Sequence, residues 1–415
     1  MKARQVTEQA NMTGLSKPIA ELPQEQRSIR SKCFHPSNTF IEFKKEDIEQ
    51  SIPDRFEKMV RLYPHRLAVK ATNRSLTYEA LNQIANRIGR AILAKGGHGN
   101  EPIALLFEQG IDVIAAIFGA LKAGKFYVAL DPSFPPERLT YMLQDSQAGL
   151  IVTNNHNVGF AKKLRQDSRR LLNIDELDES LSAANLGLHI SQDEISHLVY
   201  TSGSTGEPKG VVQNHLNILQ EIMSYSNSFH ICAQDRMTVL ASGSSGQGIK
   251  NAFCALLNGA GLFPLDIKSE GVARLAGCLT QEEITVCHLS VILFRYFLRT
   301  LTGEEKFPRL RIIRLASEQV LKEDVKGYRR YFSPHCVLVN ALSCTEAGTF
   351  RWHFMNKETP VTESGVPVGY AVEDKKVLLL DDKGQEVGFN RSWRNSNQKS
   401  VSLPWLLAKT QPQSV

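Results

Sequence analysis

From residue 52 onward, short apolar runs of strand length alternate with longer stretches of helical periodicity. This rhythm limits the possible folds more than any single motif does. Ile52, Phe56, Met59, Val60 and Tyr63 recur at helical spacing. RLAVKA reads as a strand. LTYEALNQIANRIGRAILAKG reads as a long amphipathic helix that begins near Thr77, an N-cap candidate, and stops at Gly96-Gly97. EPIALLF, KFYVAL and AGLIVTN are further strands, with helices in GIDVIAAIFGALKAG and DPSFPPERLTYMLQDS. The alternation continues through RMTVLAS, KNAFCALLNGAGLFPL, VARLAGCLTQEEITVCHLS and LRIIRLASEQV, and KKVLLLDDKGQEV reads as a closing β-hairpin. Parallel strands need crossovers of helix length, so the pattern predicts an α/β fold whose largely parallel sheet is covered on both faces.

The flanks differ from this body. Residues 1–50 are polar, weakly periodic and read as a flexible or loosely docked leader. Residues 391–415 contain no Asp or Glu, carry four basic residues and two of the three tryptophans, and break the rhythm. They are expected to form an irregular tail, with 51–390 as the body. The longest apolar helix candidate, Val113 to Leu121, is about half the roughly 20 residues that span a bilayer and reads as a buried helix. With no signal-peptide core near the N-terminus, a cytoplasmic protein without membrane attachment is expected. The net charge of +6 is modest, and no Lys/Arg stripe interleaved with aromatics suggests nucleic-acid binding. Seven cysteines without metal-ligand spacing predict reduced, buried thiols.

The chemistry-bearing stretch is LVYTSGSTGEPKGVVQNH, Leu198 to His215. It is not a Walker A loop: Gly206 and the final hydroxyl are misplaced, and Pro208 removes a donor where a P-loop helix begins. The residue types still suit phosphate. Gly203 and Gly206 allow turns that aim N–H groups at an anion, and Thr201, Ser202, Ser204 and Thr205 offer hydroxyls. Lys209 adds a mobile charge. On residue chemistry alone, an anion-binding loop and a flexible Gly/Ser turn remain equally good readings. His215, just after the loop, reads as a structural histidine, and SGSSGQG (242–248) as a loop without dinucleotide-binding spacing.

YTSGSTGEPKGV resembles the phosphate-loop signature of the adenylate-forming superfamily. Residues 76–92 and 121–153 resemble nonribosomal peptide synthetase adenylation domains in particular. NALSCTE (340–346) occupies the place of that family's N-x-Y-G-P-T-E motif, LRIIRLASEQV that of its G-G-E turn, and GVPVGYAVEDKKVLLLD that of its next strand region. The resemblance runs from about residue 50 to about residue 388. It implies the N-terminal body of an adenylate-forming enzyme, with stacked mixed and parallel sheets and helices between and outside them.

The resemblance also implies ATP-dependent activation of a carboxylic acid as an acyl-adenylate, with Mg²⁺, in peptide- or polyketide-type secondary metabolism. Transfer would follow to the phosphopantetheine thiol of a carrier protein or to CoA. By that likeness Thr201, Ser202, Gly203, Ser204, Thr205, Gly206 and Lys209 would cradle the triphosphate. Thr345 would lie beside the α-phosphate, Glu346 and Thr201 would hold Mg²⁺, and Asn340, Ser317 and Glu318 would lie along the adenine. Lys209, Thr345 and Glu346 are the catalytic candidates, and Ser245, Gly246 and Asn251 mark the acid pocket.

Two departures qualify the likeness. Gly246 stands where amino-acid-activating relatives carry an aspartate for the substrate's α-ammonium, so an acid without a free α-amine is expected. The ribose-binding aspartate and the C-terminal lid with its lysine find no counterpart in residues 391–415, which read as the product of a frameshift or truncated frame. A catalytically silent ATP- or acid-binding remnant, or an interaction module, is the alternative.

Overall fold

The alternation is realised as two sheets. The computed structural model describes residues 22–96, 99–165, 169–202, 208–362, 365–373, 375–377 and 408–410. The larger sheet has nine strands in the order Tyr370–Ala371, Gly348–Met355, Val337–Cys344, Ile312–Ala316, Val286–Ser290, Arg236–Val239, Gly261–Pro264, Leu67–Ala71 and Arg74–Thr77. From Val337–Cys344 to Leu67–Ala71 its strands run parallel, and only the outer ones are antiparallel. The smaller sheet has six strands in the order Arg170–Asn173, Leu150–Thr153, Pro102–Leu106, Phe126–Leu130, Ile195–Ser202 and Pro208–Asn214. All are parallel except the last. This is the mixed, helix-covered α/β body that the rhythm and the resemblance predict.

Helices Tyr78–Gly96 and Ile111–Lys122 fill much of the core. The first starts where expected, with Thr77 Oγ1 accepting the Ala80 N–H at 3.2 Å. The second is buried along its whole length except at Asp112, as a helix without a polar face must be. The two cross closely because Gly119 has no side chain: a Cβ there would stand 2.6 Å from Ile88 Cγ2. No described helix is long and apolar enough to cross a membrane.

Asp235 and Arg311, each just ahead of a strand of the larger sheet, form a buried pair. Arg311 Nη2 and Nε donate to the carboxylate at 2.6 and 2.9 Å, and Thr285 Oγ1 and the Cys232 N–H also donate to it. Burial pushes the Asp235 carboxyl up, but Arg311 and these donors overcome it and hold the group below the usual carboxylate range.

The leader, read from sequence as flexible or loosely docked, is from residue 24 packed on the body. Helix Gln24–Ser31 places the Gln26 amide against Phe354, donating to its carbonyl at 3.0 Å and accepting its N–H at 2.8 Å. Arg30 reaches Glu373 at 2.5 Å and the Asn227 carbonyl at 3.1 Å, and Cys33 and Phe43 are buried. Anchoring by side-chain amides leaves little apolar periodicity, so the sequence carried no sign of it. Within KKVLLLDDKGQEV, residues 375–377 pair with Ala408–Thr410. The expected hairpin turn lies outside the described residues, as does most of the tail. Three extended residues are too few to register as a strand in sequence. All seven cysteines are free; five are buried as expected, Cys278 is only partly buried, and Cys344 is exposed because it ends a strand at a surface turn.

Candidate active site

Parallel strands end on one side of their sheet, so the loops after their C-terminal ends gather in a crevice. Here those loops carry Ser245 and Gly246, Ser317 and Glu318, and Thr345 and Glu346. The smaller sheet joins them through Val199 and Gln213. Gln213 Nε2 donates to the Thr345 carbonyl at 3.0 Å. A Cβ at Gly246 would lie 3.7 Å from Thr345 Cγ2 and 3.8 Å from Val199 Cγ1. Three segments far apart in sequence thus border one small space, which Gly246 leaves open.

Strands Ile195–Ser202 and Pro208–Asn214 pair antiparallel, with Thr201 opposite Lys209 and Ser202 opposite Pro208. The glycine-rich stretch therefore joins two hairpin strands, whereas a P-loop joins a strand to a helix. Gly203, Ser204, Thr205 and Gly206 lie outside the described residues. At the hairpin base Thr201 is half-buried, its hydroxyl 3.5 Å from the Lys209 carbonyl, and the Lys209 side chain is exposed.

Thr345, Glu346 and Ala347 form the turn between Val337–Cys344 and Gly348–Met355, and Glu346 is exposed at the rim of a pocket. That pocket is also lined by Glu221, Lys250 and Lys375, none of which sequence reasoning had singled out. Glu221 Oε1 accepts the Thr349 N–H at 2.8 Å. Its carboxylate stands 3.5 Å from Lys250 Nζ and 3.7 Å from Lys375 Nζ. Lys375 also donates to the Ala347 and Thr349 carbonyls at 2.8 and 2.7 Å. Burial raises the Glu221 carboxyl, yet Lys250, Lys375, the Thr349 N–H and Arg314 bring it below the usual range. Two signals could have exposed this cluster. Glu221 interrupts the buried face of helix His215–Phe229 between Ile218, Ile222 and Tyr225, and Lys250 follows Gly246 by one helical turn.

SGSSGQG is the expected loop only over residues 242–245. Gly246 opens helix Gly246–Leu256, and Ser245 caps it, accepting the Gly248 N–H at 3.0 Å and donating to the Ser242 carbonyl at 2.7 Å. The Ser245 hydroxyl is thus occupied within the protein. Asn251 is buried, its Oδ1 2.5 Å from His288 Nδ1, while its Nδ2 and His288 Nε2 have no partner among the described residues. Asn340 is also buried and donates to the Pro367 carbonyl at 2.9 Å. Ser317 adopts φ +82°, a left-handed conformation that disfavours a side chain, and Glu318 beside it accepts the Ile292 N–H at 3.3 Å. His215 is structural: its Nδ1 accepts the Ile52 N–H at 3.1 Å, and burial pushes its pKa down to about 4.

A model of the AMP-binding enzyme family matches residues 56–392. The chain belongs to that family. Among curated members, tyrocidine synthase 1 of Brevibacillus parabrevis is 30% identical over 343 residues, which is 80% of this chain and 30% of that protein. Surfactin synthase subunit 2 of Bacillus subtilis (strain 168) is 30% identical over 333 residues, 79% of this chain and 9% of that protein. The chain thus spans less than a third of the length of these relatives. Among solved structures, the peptide synthetase FmoA3 (S1046A) bound to α-methyl-L-serine-AMP superposes with TM-score 0.75 at 21% identity, over 91% of this chain and 42% of that one. The N-terminal subdomain of Klebsiella oxytoca NpsA, in complex with 3-hydroxybenzoyl-AMSN, does so with TM-score 0.72 at 19% identity, over 84% and 86%. At these identities the structural likeness establishes the fold of the AMP-binding enzyme body.

Proposed function

We propose that the protein activates a carboxylic acid lacking a free α-amino group as its acyl-adenylate, with transfer to a carrier-protein or CoA thiol. The observation that carries this reading is the convergence of Thr345 and Val199 on the space beside Gly246, with Glu346 exposed on the turn next to Thr345. In the overall reaction a carboxylate oxygen bonds to the α-phosphorus of ATP and pyrophosphate leaves.

The residues suit such partners. Thr201 and Lys209 stand opposite each other on paired strands, and with Ser202, Gly203, Ser204, Thr205 and Gly206 they would contact the triphosphate. Lys209 supplies an exposed positive charge there. Glu346 and Thr201 would hold Mg²⁺, which supplies charge neutralisation to the phosphates. One exposed carboxylate suits an ion that is usually held by one or two carboxylates plus phosphate oxygens. Among the described residues no group of three or more His, Cys, Asp or Glu forms an all-protein cage. Ser317 and Glu318, at the end of their strand, and Asn340 would border the adenine. Asn340 would do so through its backbone and position, because its side-chain amide is already bonded to Pro367. Gly246 offers no charge, so it favours an acid whose α-substituent is neutral.

The test is calorimetric titration with MgATP of the wild-type chain and of Glu346→Gln, followed by ATP–pyrophosphate exchange over a panel of hydroxy, keto, aryl and amino acids. Wild-type binding with about a 10–100-fold loss in the variant is expected. Absence of MgATP binding by the wild type defeats the reading. Binding without exchange on any acid supports the silent-remnant alternative instead.

A further inference from the structure

We infer that Glu221 is a positioning residue, which holds the Thr345–Glu346–Ala347 turn in place and keeps Lys250 away from Glu346. The inference rests on the reading of Glu346 as the metal-side carboxylate.

Nothing in helix packing requires a carboxylate here. Residues 218, 222 and 225 of the same helix are Ile, Ile and Tyr, all buried, and an apolar side chain would serve packing as well or better than a buried ion pair. The Glu221 carboxylate is instead shaped to the turn. It accepts the Thr349 N–H at 2.8 Å, immediately after the turn. It also lies so close to Gly348, at φ +67°, that a Cβ there would overlap it. Lys375 closes the other side through the Ala347 and Thr349 carbonyls, and Gln213 holds the Thr345 carbonyl. The turn is thus fixed through its backbone, which leaves the Glu346 side chain free to face the crevice.

Charge gives Glu221 a second task. Lys250 and Lys375 flank it, and Glu346 lines the same pocket. Lys375 is engaged by two carbonyls, but the one ion-pair partner of Lys250 among the described residues is Glu221. Neutralise Glu221 and the nearest carboxylate on the pocket wall is Glu346. Lys250 would then draw Glu346 inward, away from the phosphates. One carboxylate so couples the helix that begins at Gly246, on the acid side, to the turn on the metal side.

The experiment compares the full chain with Glu221→Gln, Lys250→Met and the double variant. ATP is titrated with and without Mg²⁺, and hydrogen exchange of the peptide covering 343–351 is followed, with the core strand Ile312–Ala316 as control. In Glu221→Gln, Mg²⁺-dependent binding should weaken about 10–100-fold, metal-free binding should stay within about twofold, and the turn amides should exchange at least about tenfold faster. The double variant should regain most of the Mg²⁺-dependent affinity, which a purely structural loss would not allow. Wild-type behaviour of a folded Glu221→Gln, or a double variant no better than the single, overturns the inference. Should Glu221→Gln fail to fold, Lys375→Met releases the same turn and is read by the same exchange. Failure of the wild type to bind MgATP would defeat the proposed function. Exchange at 343–351, which needs no nucleotide, would still decide whether Glu221 positions the turn.

Discussion

Replacing Gly246 with aspartate tests the acid selectivity most directly, and the local structure makes the substitution tolerable. Gly246 is the first residue of its helix and does not adopt a positive φ. A Cβ would meet only Thr345 Cγ2 at 3.7 Å and Val199 Cγ1 at 3.8 Å, which is ordinary contact. An acidic side chain in the first turn also complements the helix dipole, by about 0.3–1 kcal/mol, so Gly246→Asp should be at least as stable as the parent. Its effect on ligands follows from charge. A substrate ammonium that finds no counter-charge beside Gly246 would gain a charged hydrogen bond of about 1.5–3 kcal/mol, or about 10–150-fold in affinity. Lys250, one turn along the helix, competes little for the new carboxylate because it is already 3.5 Å from Glu221. The assay is calorimetric binding of a matched pair of acyl-sulfamoyladenosines, one carrying an α-amino and the other an α-hydroxyl group. The parent should prefer the hydroxyl ligand, and Gly246→Asp should reverse or erase that preference. A folded variant with the parent's preference, or a parent that favours the amino ligand, refutes the argument.

Asp235→Asn removes one partner of a fully buried ion pair and should cost about 3–5 kcal/mol in urea unfolding, with Arg311→Met in the same background recovering part of it. A loss below about 1 kcal/mol would contradict the buried-pair account. Because the folded Asp235 carboxyl titrates below its unfolded value, its stabilisation is full above about pH 4 and is lost as pH falls further. His215 and His197 act at higher pH. Burial pushes them down to about 4 and about 3, so each stabilises fully above about pH 6.5 and loses that contribution as pH falls toward the folded values. The urea midpoint should therefore drop between about pH 7.5 and about pH 5, and a flat profile would show that these histidines are not buried neutral.

Much of the architecture was legible because its signals are local. The helical spacing of 52–63, the Thr77 cap and the uninterrupted apolarity of 113–121 each report on a single element. Strand order was not legible, since Arg236–Val239 pairs with both Gly261–Pro264 and Val286–Ser290 through backbone bonds that no residue type announces. The site divides in the same way. Thr345, Glu346 and Gly246 were found through motif likeness, yet their proximity to Val199 is a tertiary fact. The Ser245 cap was visible in principle, as a serine ahead of a helical stretch, but the glycines around it suggested a loop. Glu221, Lys250 and Lys375 escaped notice because each looks like an ordinary surface charge until the three meet in one pocket.

The bond between Gln26 and Phe354 spans 328 residues, and that between Arg30 and Glu373 spans 343. During synthesis at about 5–20 residues per second, helix Gln24–Ser31 leaves the ribosome roughly 15–70 s before Phe354 and Glu373. Until then only its Arg30 contact with the Asn227 carbonyl can form, and the far end of strand Gly348–Met355, which Tyr370–Ala371 does not reach, has no amide to cover Phe354. Closing so long a loop costs only slightly more entropy than closing a short one, because the cost grows with the logarithm of length. The burden falls on timing. The first described helix is among the last to dock, and its arrival seals the edge of the larger sheet.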